Sequence, residues 1–104
     1  MKSDVLNNRQ RRPTHPGEPL RELLPRLDMS QGRLAELLHV SRQTVNEIVK
    51  EKRSITMDMA YRLGRLFNMD PLTWIRMQEA IDAWDTLEVH RKDYETIRPI
   101  ATVG

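Results

Sequence analysis

The sequence predicts an all-α domain of five helices with a short C-terminal extension. Apolar residues recur every three or four positions through most of residues 18–84, which is the spacing of a buried helical stripe. Serine, threonine or aspartate precedes four of these apolar segments, where helix N-caps are preferred. No segment before residue 95 has a pattern that predicts a strand.

The first predicted helix spans residues 18–27, after Pro16-Gly17 interrupts a polar segment. Pro19 suits its first turn, because the N–H that proline lacks would have no partner there. Pro25 predicts a kinked or loosened last turn. The buried stripe of this helix is predicted to consist of Leu20, Leu23, Leu24 and Leu27.

Two short helices are predicted next, over residues 31–38 and 42–50, with a tight turn at His39-Val40 between them. Ser30 and Ser41 are the predicted N-caps. Ala35 is small at a place where the two helices must cross closely. The inner apolar face of the pair is predicted to contain Leu34, Leu38, Val40, Val45 and Ile48.

A fourth helix is predicted over residues 57–67, with Thr56 as its N-cap. Asp70-Pro71 combines an N-cap with proline at the first helical position, so it predicts the start of a fifth helix. This helix is expected to reach Trp84 or beyond, and the periodicity fades after that point.

The predicted organisation of the chain has three parts. Residues 1–14 are expected to form a flexible basic arm, and residues 15–84 the helical domain. Residues 85–104 are expected to form a C-terminal extension that contains the end of the last helix and an extended tail over residues 95–103.

The helix pair over residues 31–50 has the sequence features of a helix-turn-helix motif, whose second helix enters the major groove of DNA. Arginine can pair with guanine edges, and glutamine or asparagine with adenine edges. Helix N-termini and flanking cations favour phosphates. The predicted DNA-binding residues are Gln31, Ser41, Arg42, Gln43, Thr44, Asn46, Lys50, Lys52 and Arg53. Residues 15–84 are therefore predicted to form a helix-turn-helix DNA-binding domain. The alternative is an ordinary solvated helix face.

Charge is unevenly distributed along the chain. The net charge is +2, but residues 1–53 carry 11 basic and 7 acidic side chains, whereas residues 54–104 carry 6 and 8. A basic first half suits contact with phosphates. The arginines of the N-terminal arm, Arg9, Arg11 and Arg12, can be interpreted as minor-groove contacts or, more simply, as a solvated tail.

The fifth predicted helix has more apolar residues than one buried stripe needs. We expect Trp74 and Met77 to pack in the core. Ile81 and Trp84 are interpreted as an interface with a second copy or another partner, and core packing is the alternative for Trp84. A two-fold homodimer would place two recognition helices about 34 Å apart on double-stranded operator DNA. The acidic residues of this region are interpreted either as a docking surface for a basic protein or as a solvated face.

No enzymatic activity, cofactor or metal is expected. The chain has no cysteine, and its three histidines lack the spacing of metal ligands. No apolar run approaches the roughly 18 residues of a membrane span, and the polar N-terminus lacks the apolar stretch of a signal peptide. We therefore expect a cytoplasmic location without a membrane partner.

Four segments of the chain resemble the HigA-type antitoxins, also called virulence-associated protein I, within the lambda-repressor-like (XRE-like) helix-turn-helix superfamily. The segments are the HPGE sequence at residues 15–18, the core at residues 29–45, residues 54–63, and residues 74–84 with the pattern W-x-x-x-Q. One departure is His39, which occupies a turn position where this family usually has glycine.

The resemblance implies a lambda-repressor-like five-helix fold and a dimeric repressor that autoregulates its own operon. It also implies that the protein neutralises a partner toxin, typically a small ribosome-dependent RNA-cleaving enzyme. Some relatives have no evident toxin partner. A stand-alone helix-turn-helix transcriptional regulator is therefore the alternative.

Overall fold

The computed structural model of the protein describes residues 11–101. These residues form five α-helices: α1 (Gly17–Arg26), α2 (Gln31–Leu38), α3 (Arg42–Val49), α4 (Met57–Phe67) and α5 (Pro71–Thr96). No strand occurs between residues 11 and 101. The predicted all-α class with five helices is confirmed.

Four helices begin where the sequence predicts them to begin, because their N-cap side chains satisfy backbone N–H groups that have no partner within the helix. Each cap oxygen accepts a hydrogen bond from an N–H group two or three residues later, over 2.9–3.1 Å. The cap residues are Ser30, Ser41, Thr56 and Asp70.

Helix α1 begins at a histidine-containing turn. The Nδ1 atom of His15 accepts a hydrogen bond from the Gly17 N–H over 2.9 Å, and the His15 carbonyl accepts from the Glu18 N–H over 2.9 Å. Gly17 also lies directly against α3, since a Cβ atom at this position would be 1.9 Å from the Ile48 carbonyl oxygen. The helix therefore starts one residue earlier than predicted, at a position where a side chain would collide with α3.

The C-terminal end of α1 corrects one core prediction. The helix contains Pro25 in its last turn and ends at Arg26. The Met29 N–H then donates back to the Leu24 carbonyl over 2.9 Å, so the chain reverses direction. Leu27 is outside the helix and is 45% exposed, so its predicted place on the buried stripe is wrong.

Apolar side chains from all five helices meet in one core. Leu34 of α2 packs there with Ala60 and Leu63 of α4, and all three are fully buried. Trp74 brings the beginning of α5 into the same core, and the partly buried Met77 packs against it, as predicted. Each large buried side chain contributes about 1.5–3 kcal/mol, so this core holds α2 and α3 in a fixed relation.

Helix α5 is longer than its sequence periodicity indicates. It continues without a break to Thr96, so most of the predicted C-terminal extension is helical and residues 95 and 96 are not extended. Only residues 97–101 of the described tail lack regular structure. Of the helices in the described part of the chain, none combines the length and apolar character that a membrane crossing requires.

Ile81, which is predicted to form an interface, lies in the interior of the protein. Its side chain is 1% exposed, so the prediction that it forms a surface for a partner is wrong. This turn of α5 still faces the rest of the chain, where Ile81 lines a small cavity together with His15. Trp84, three residues later, is partly exposed.

Candidate nucleic-acid interface

The turn between α2 and α3 depends on the backbone conformation of His39. This residue has φ 61° and ψ 42°, in the left-handed region that glycine adopts most easily. The His39 N–H donates to the Glu36 carbonyl over 3.2 Å, and the Val40 N–H donates to the Ala35 carbonyl over 3.0 Å. The two-helix motif predicted around His39 is therefore present.

Arg62 of α4 fixes this turn from outside the motif. Its Nη1 donates to the carbonyls of Leu38 and His39 over 2.9 and 3.3 Å, at the end of α2 where carbonyls lack helical partners. Its Nε donates to Asp58 over 2.8 Å. Sequence reasoning missed this role, because the four-residue spacing of Asp58 and Arg62 resembles an ordinary exposed ion pair.

The first turn of α3 carries two exposed polar side chains that are predicted to contact DNA, Arg42 and Gln43. The cap residue Ser41 accepts from the Thr44 N–H over 3.0 Å, and the two hydroxyl oxygens of Ser41 and Thr44 are 2.8 Å apart. The backbone that carries Arg42 and Gln43 is thus held at its N-terminus.

An amide pair joins the beginning of α2 to the middle of α3. The Nδ2 of Asn46 donates to the Oε1 of Gln31 over 3.0 Å, and both side chains are partly buried. The structure therefore brings together two residues that the sequence predicts as DNA contacts from different helices. This hydrogen bond uses one polar atom of each amide. It fixes the positions of the two remaining polar atoms, Oδ1 of Asn46 and Nε2 of Gln31.

Glu47 lies between two predicted DNA-binding residues, although sequence reasoning did not include it. Its carboxylate accepts hydrogen bonds from Gln43 Nε2 over 3.0 Å and from Arg53 Nε over 2.8 Å. These two hydrogen bonds lower the pKa of Glu47 below its ordinary value. The ionised carboxylate holds Gln43 and Arg53 side by side. The four-residue spacing from Gln43 on a helix was the signal that could have identified it.

The chain turns sharply after α3, where Glu51 has a positive φ of 62°. The Glu51 carboxylate faces α1 and forms an ion pair with Arg21 over 3.2 Å. Lys50 and Lys52, its neighbours in sequence, are exposed and form no ion pair with other residues in the range 11–101. These two ammonium groups are thus presented to solvent directly beside α3.

Arg12, in the predicted N-terminal arm, is paired with α5. Its Nε and Nη2 donate to the two carboxylate oxygens of Asp85, each over 2.9 Å, and its Nη1 is 3.6 Å from Glu51. The hydrogen bond from Arg12 holds the pKa of Asp85 below its usual value. This end of the arm is therefore paired with the domain and is not the simply solvated tail of the second interpretation. Arg9 lies outside the described residues.

The chemistry of this interface is hydrogen bonding and charge. Across residues 11–101, no three His, Asp or Glu side chains are close enough together to hold a metal ion. The exposed groups on α3 and in the following segment are guanidinium, ammonium, amide and hydroxyl groups. These groups can bind base edges and phosphates in duplex DNA.

Residues 20–74 match the family described as helix-turn-helix. This range contains α2, α3 and α4 and is more than half of the chain. This chain belongs to the helix-turn-helix family. Among its relatives in the family, it is 44% identical over 89 residues to virulence-associated protein I of Dichelobacter nodosus, covering 85% of this chain and 82% of that protein. It is 38% identical over 95 residues to the HTH-type transcriptional regulator YbaQ of Escherichia coli, covering 90% and 83%.

A solved structure extends this similarity to three dimensions. The Pseudomonas aeruginosa antitoxin HigA, determined with the higBA promoter, is 42% identical to this chain. The two structures align with a TM-score of 0.80 over 86% of this chain and 99% of the other. The resemblance to HigA-type antitoxins and virulence-associated protein I is therefore confirmed.

Proposed function

We propose that this helix-turn-helix protein is a sequence-specific DNA-binding transcriptional repressor and a HigA-type antitoxin that autoregulates its operon. The carrying observation is the exposed polar first turn of α3, presented on a helix pair that is fixed by Ser41, His39 and Arg62. The similarity to an antitoxin HigA that was solved with promoter DNA supports this proposal.

In the proposed complex, α3 enters the major groove and two of its side chains contact base edges. Arg42 is suited to a bidentate contact with guanine, and Gln43 to one with adenine. Gln43 is held by Glu47 in the free protein, so it exchanges that hydrogen bond for a base contact when DNA binds. The amide pair of Gln31 and Asn46 presents further hydrogen-bonding groups beside them.

The remaining predicted contacts are assigned to the DNA backbone. Ser41 and Thr44 lie at the N-terminus of α3, where backbone N–H groups favour an anion. Lys50, Lys52 and Arg53 follow α3 and are exposed, so they suit phosphates on the two sides of the groove.

The proposal includes protein partners. We propose a homodimer in the cytoplasm that neutralises an RNA-cleaving toxin. The support is the relation to HigA-type antitoxins and the exposed carboxylates of α5, which suit a basic protein. A stand-alone regulator without a toxin partner is the second candidate function, and it is favoured by the similarity to the transcriptional regulator YbaQ.

Selection of bound sequences from a random duplex pool tests the DNA-binding proposal. The wild-type protein should enrich a site with two related half-sites. The double variant Arg42→Ala, Gln43→Ala should lose most of this preference, because each bidentate base contact contributes about 1–3 kcal/mol of discrimination. The control variant Lys50→Ala should weaken binding to all sequences alike. An unchanged preference in the double variant would contradict the assignment of α3.

Co-expression with the proteins encoded beside this gene tests the antitoxin proposal. A neighbouring product that stops growth and cleaves RNA should be inhibited by this protein and should form a complex with it. If every neighbouring product is harmless and none binds, the stand-alone regulator is the correct alternative.

A further inference from the structure

Gln78 of α5 is a buried polar residue whose side chain is not used by the proposed DNA contacts. It is 6% exposed. Its Oε1 accepts a hydrogen bond from the backbone N–H of Ile55 over 2.7 Å, and its Nε2 donates to the Oδ1 of Asp82 over 2.9 Å. One amide thus connects the first third of α5 to the segment that precedes α4.

Asp82 determines the direction in which this amide is oriented. An ionised carboxylate can only accept hydrogen bonds, so it requires the NH₂ group of Gln78 on its side. The oxygen of Gln78 then faces the Ile55 N–H, which needs an acceptor because Ile55 is only 3% exposed. The Asp82 carboxylate and the Ile55 N–H together allow the Gln78 amide only one orientation.

Residues 50–56 connect α3 to α4 without regular structure, and Ile55 lies near the end of this segment. The segment carries the cations assigned to phosphates. The beginning of the segment is fixed to α3, since the Lys52 N–H donates to the Glu47 carbonyl over 2.8 Å and the Arg53 Nε donates to the Glu47 carboxylate over 2.8 Å. Its end is fixed to α5 through Gln78. Between the segment and α5 lies a polar cavity of about 160 Å³ lined by Lys52, Arg53, Gln78 and Asp82 among others. Close apolar packing therefore does not hold the cationic part of the segment against α5.

We propose that Gln78, oriented by Asp82, is a positioning residue that sets the placement of Lys52 and Arg53 for contact with DNA phosphates. The inference rests on the proposed DNA-binding function. It assigns a role in DNA binding to a helix that does not itself enter the groove. It predicts an effect on phosphate contacts and not on base preference, because Arg42 and Gln43 are carried by α3.

The test compares the salt dependence of DNA binding in wild-type protein and in the variant Gln78→Met. Methionine has a similar length, but its thioether sulfur is only a weak acceptor for the Ile55 N–H. The probes are a duplex selected by the wild-type protein and a random-sequence duplex of equal length. Each phosphate contact contributes about 0.9 to the slope of log K against log salt, so the slope should decrease by about 1–2. The ratio of affinities for the two duplexes should stay at the wild-type value.

Amide hydrogen exchange gives a second measurement that does not require DNA. The Ile55 N–H should exchange slowly in the wild-type protein and at least tenfold faster in Gln78→Met. Asp82→Ala, at an exposed position, should accelerate the same amide, and it provides the measurement if Gln78→Met does not fold. Asp82→Asn keeps an oxygen acceptor and should retain slow exchange.

Ile81→Val is the control for a purely structural effect. It reduces the packing of a buried side chain near Gln78 and should lower the melting temperature without changing the salt slope. If Gln78→Met lowers the melting temperature but retains the wild-type slope, the positioning role is wrong while the proposed function stands. If the wild-type protein binds both duplexes equally, the proposed function itself is wrong.

Discussion

His15 is a buried histidine whose neutral ring is part of the beginning of α1. It is 6% exposed, and its Nδ1 must be unprotonated to accept the hydrogen bond from Gly17. Burial lowers the pKa of His15, while the nearby Glu51 carboxylate acts in the opposite direction. The unfolded chain therefore binds a proton more readily than the folded protein. This contribution to stability is present above the unfolded pKa of about 6.5, and it is lost as the pH falls from there through the lower pKa of the folded protein.

The variant His15→Asn should reduce the loss of stability between pH 7 and pH 5. Asparagine can accept from the N–H two residues later but does not titrate in this range. Urea unfolding at pH 7, 6 and 5 measures the difference, and His90→Asn at an exposed position on α5 controls for the loss of one histidine. If His15→Asn loses as much stability as the wild-type protein over this range, His15 is not the responsible group.

Gly17 and Gly32 offer a matched pair of glycine substitutions. A Cβ atom at Gly17 would meet the Ile48 carbonyl oxygen at 1.9 Å, whereas at Gly32 its nearest contact is the Cδ of Arg42 at 3.8 Å. Gly17→Ala should destabilise the protein by about 1–3 kcal/mol, because α1 must move away from α3. Gly32→Ala should be neutral or stabilise by up to about 1 kcal/mol through its helix propensity. Thermal unfolding of both variants tests this, and equal melting temperatures would contradict the close approach at Gly17.

At the level of elements, α2 and α4 both end at a residue in the left-handed backbone conformation, and the two residues differ in type. His39 after α2 has φ 61°, and Asn68 after α4 has φ 54°. Asparagine tolerates this region better than histidine, because its short polar side chain can form local hydrogen bonds. His39→Gly should therefore stabilise the protein by about 0.5–1 kcal/mol, whereas Asn68→Gly should have almost no effect. Denaturant midpoints measure both changes, and a larger gain at Asn68 would refute the explanation.

Helix starts were predictable from sequence, whereas helix ends and long-range contacts were less so. A cap such as Ser41 acts on an N–H three residues away, so a local pattern contains its signal. The end of α5 has no comparable signal, because its exposed last turns need no apolar periodicity. The sequence predicts Ile81 at the surface, because the residues that share its cavity, such as His15 and Ser54, are distant in sequence.

The same distinction applies to the candidate interface. The polar face of α3 was visible in the sequence, because its residue types and spacing are local. The long-range contacts beside this face were not visible. Arg62 bonds the turn between α2 and α3 across 23 or 24 residues, and Gln78 bonds the segment after α3 across 23. Glu47 is absent from the predicted contacts, because a carboxylate repels phosphates and its residue type alone does not indicate a role in binding DNA.

At the scale of the whole molecule, α5 extends the domain beyond its core. Its 26 residues span about 39 Å, and the described exposed apolar residues near its end include Val89, at 75%, and Ile97, at 69%. Arg12 ties the N-terminal segment to this helix at Asp85, but an exposed ion pair contributes only about 0–1 kcal/mol. Trp84 is the part of the predicted interface that is still partly exposed.

We expect Trp84→Ala to weaken the proposed homodimer by about 2 kcal/mol or more, since tryptophan at the centre of an interface commonly contributes that much. Sedimentation over a concentration series measures the dimer, and binding to a two-half-site duplex measures its consequence. A monomer should bind one half-site with wild-type sequence preference but lose the extra affinity for two half-sites spaced about 34 Å apart. Thr86→Ala, exposed on the same helix, is the control and should leave both measurements unchanged. A Trp84→Ala protein that remains dimeric would place the interface elsewhere, and a monomeric wild-type protein on two-half-site DNA would contradict the homodimer itself.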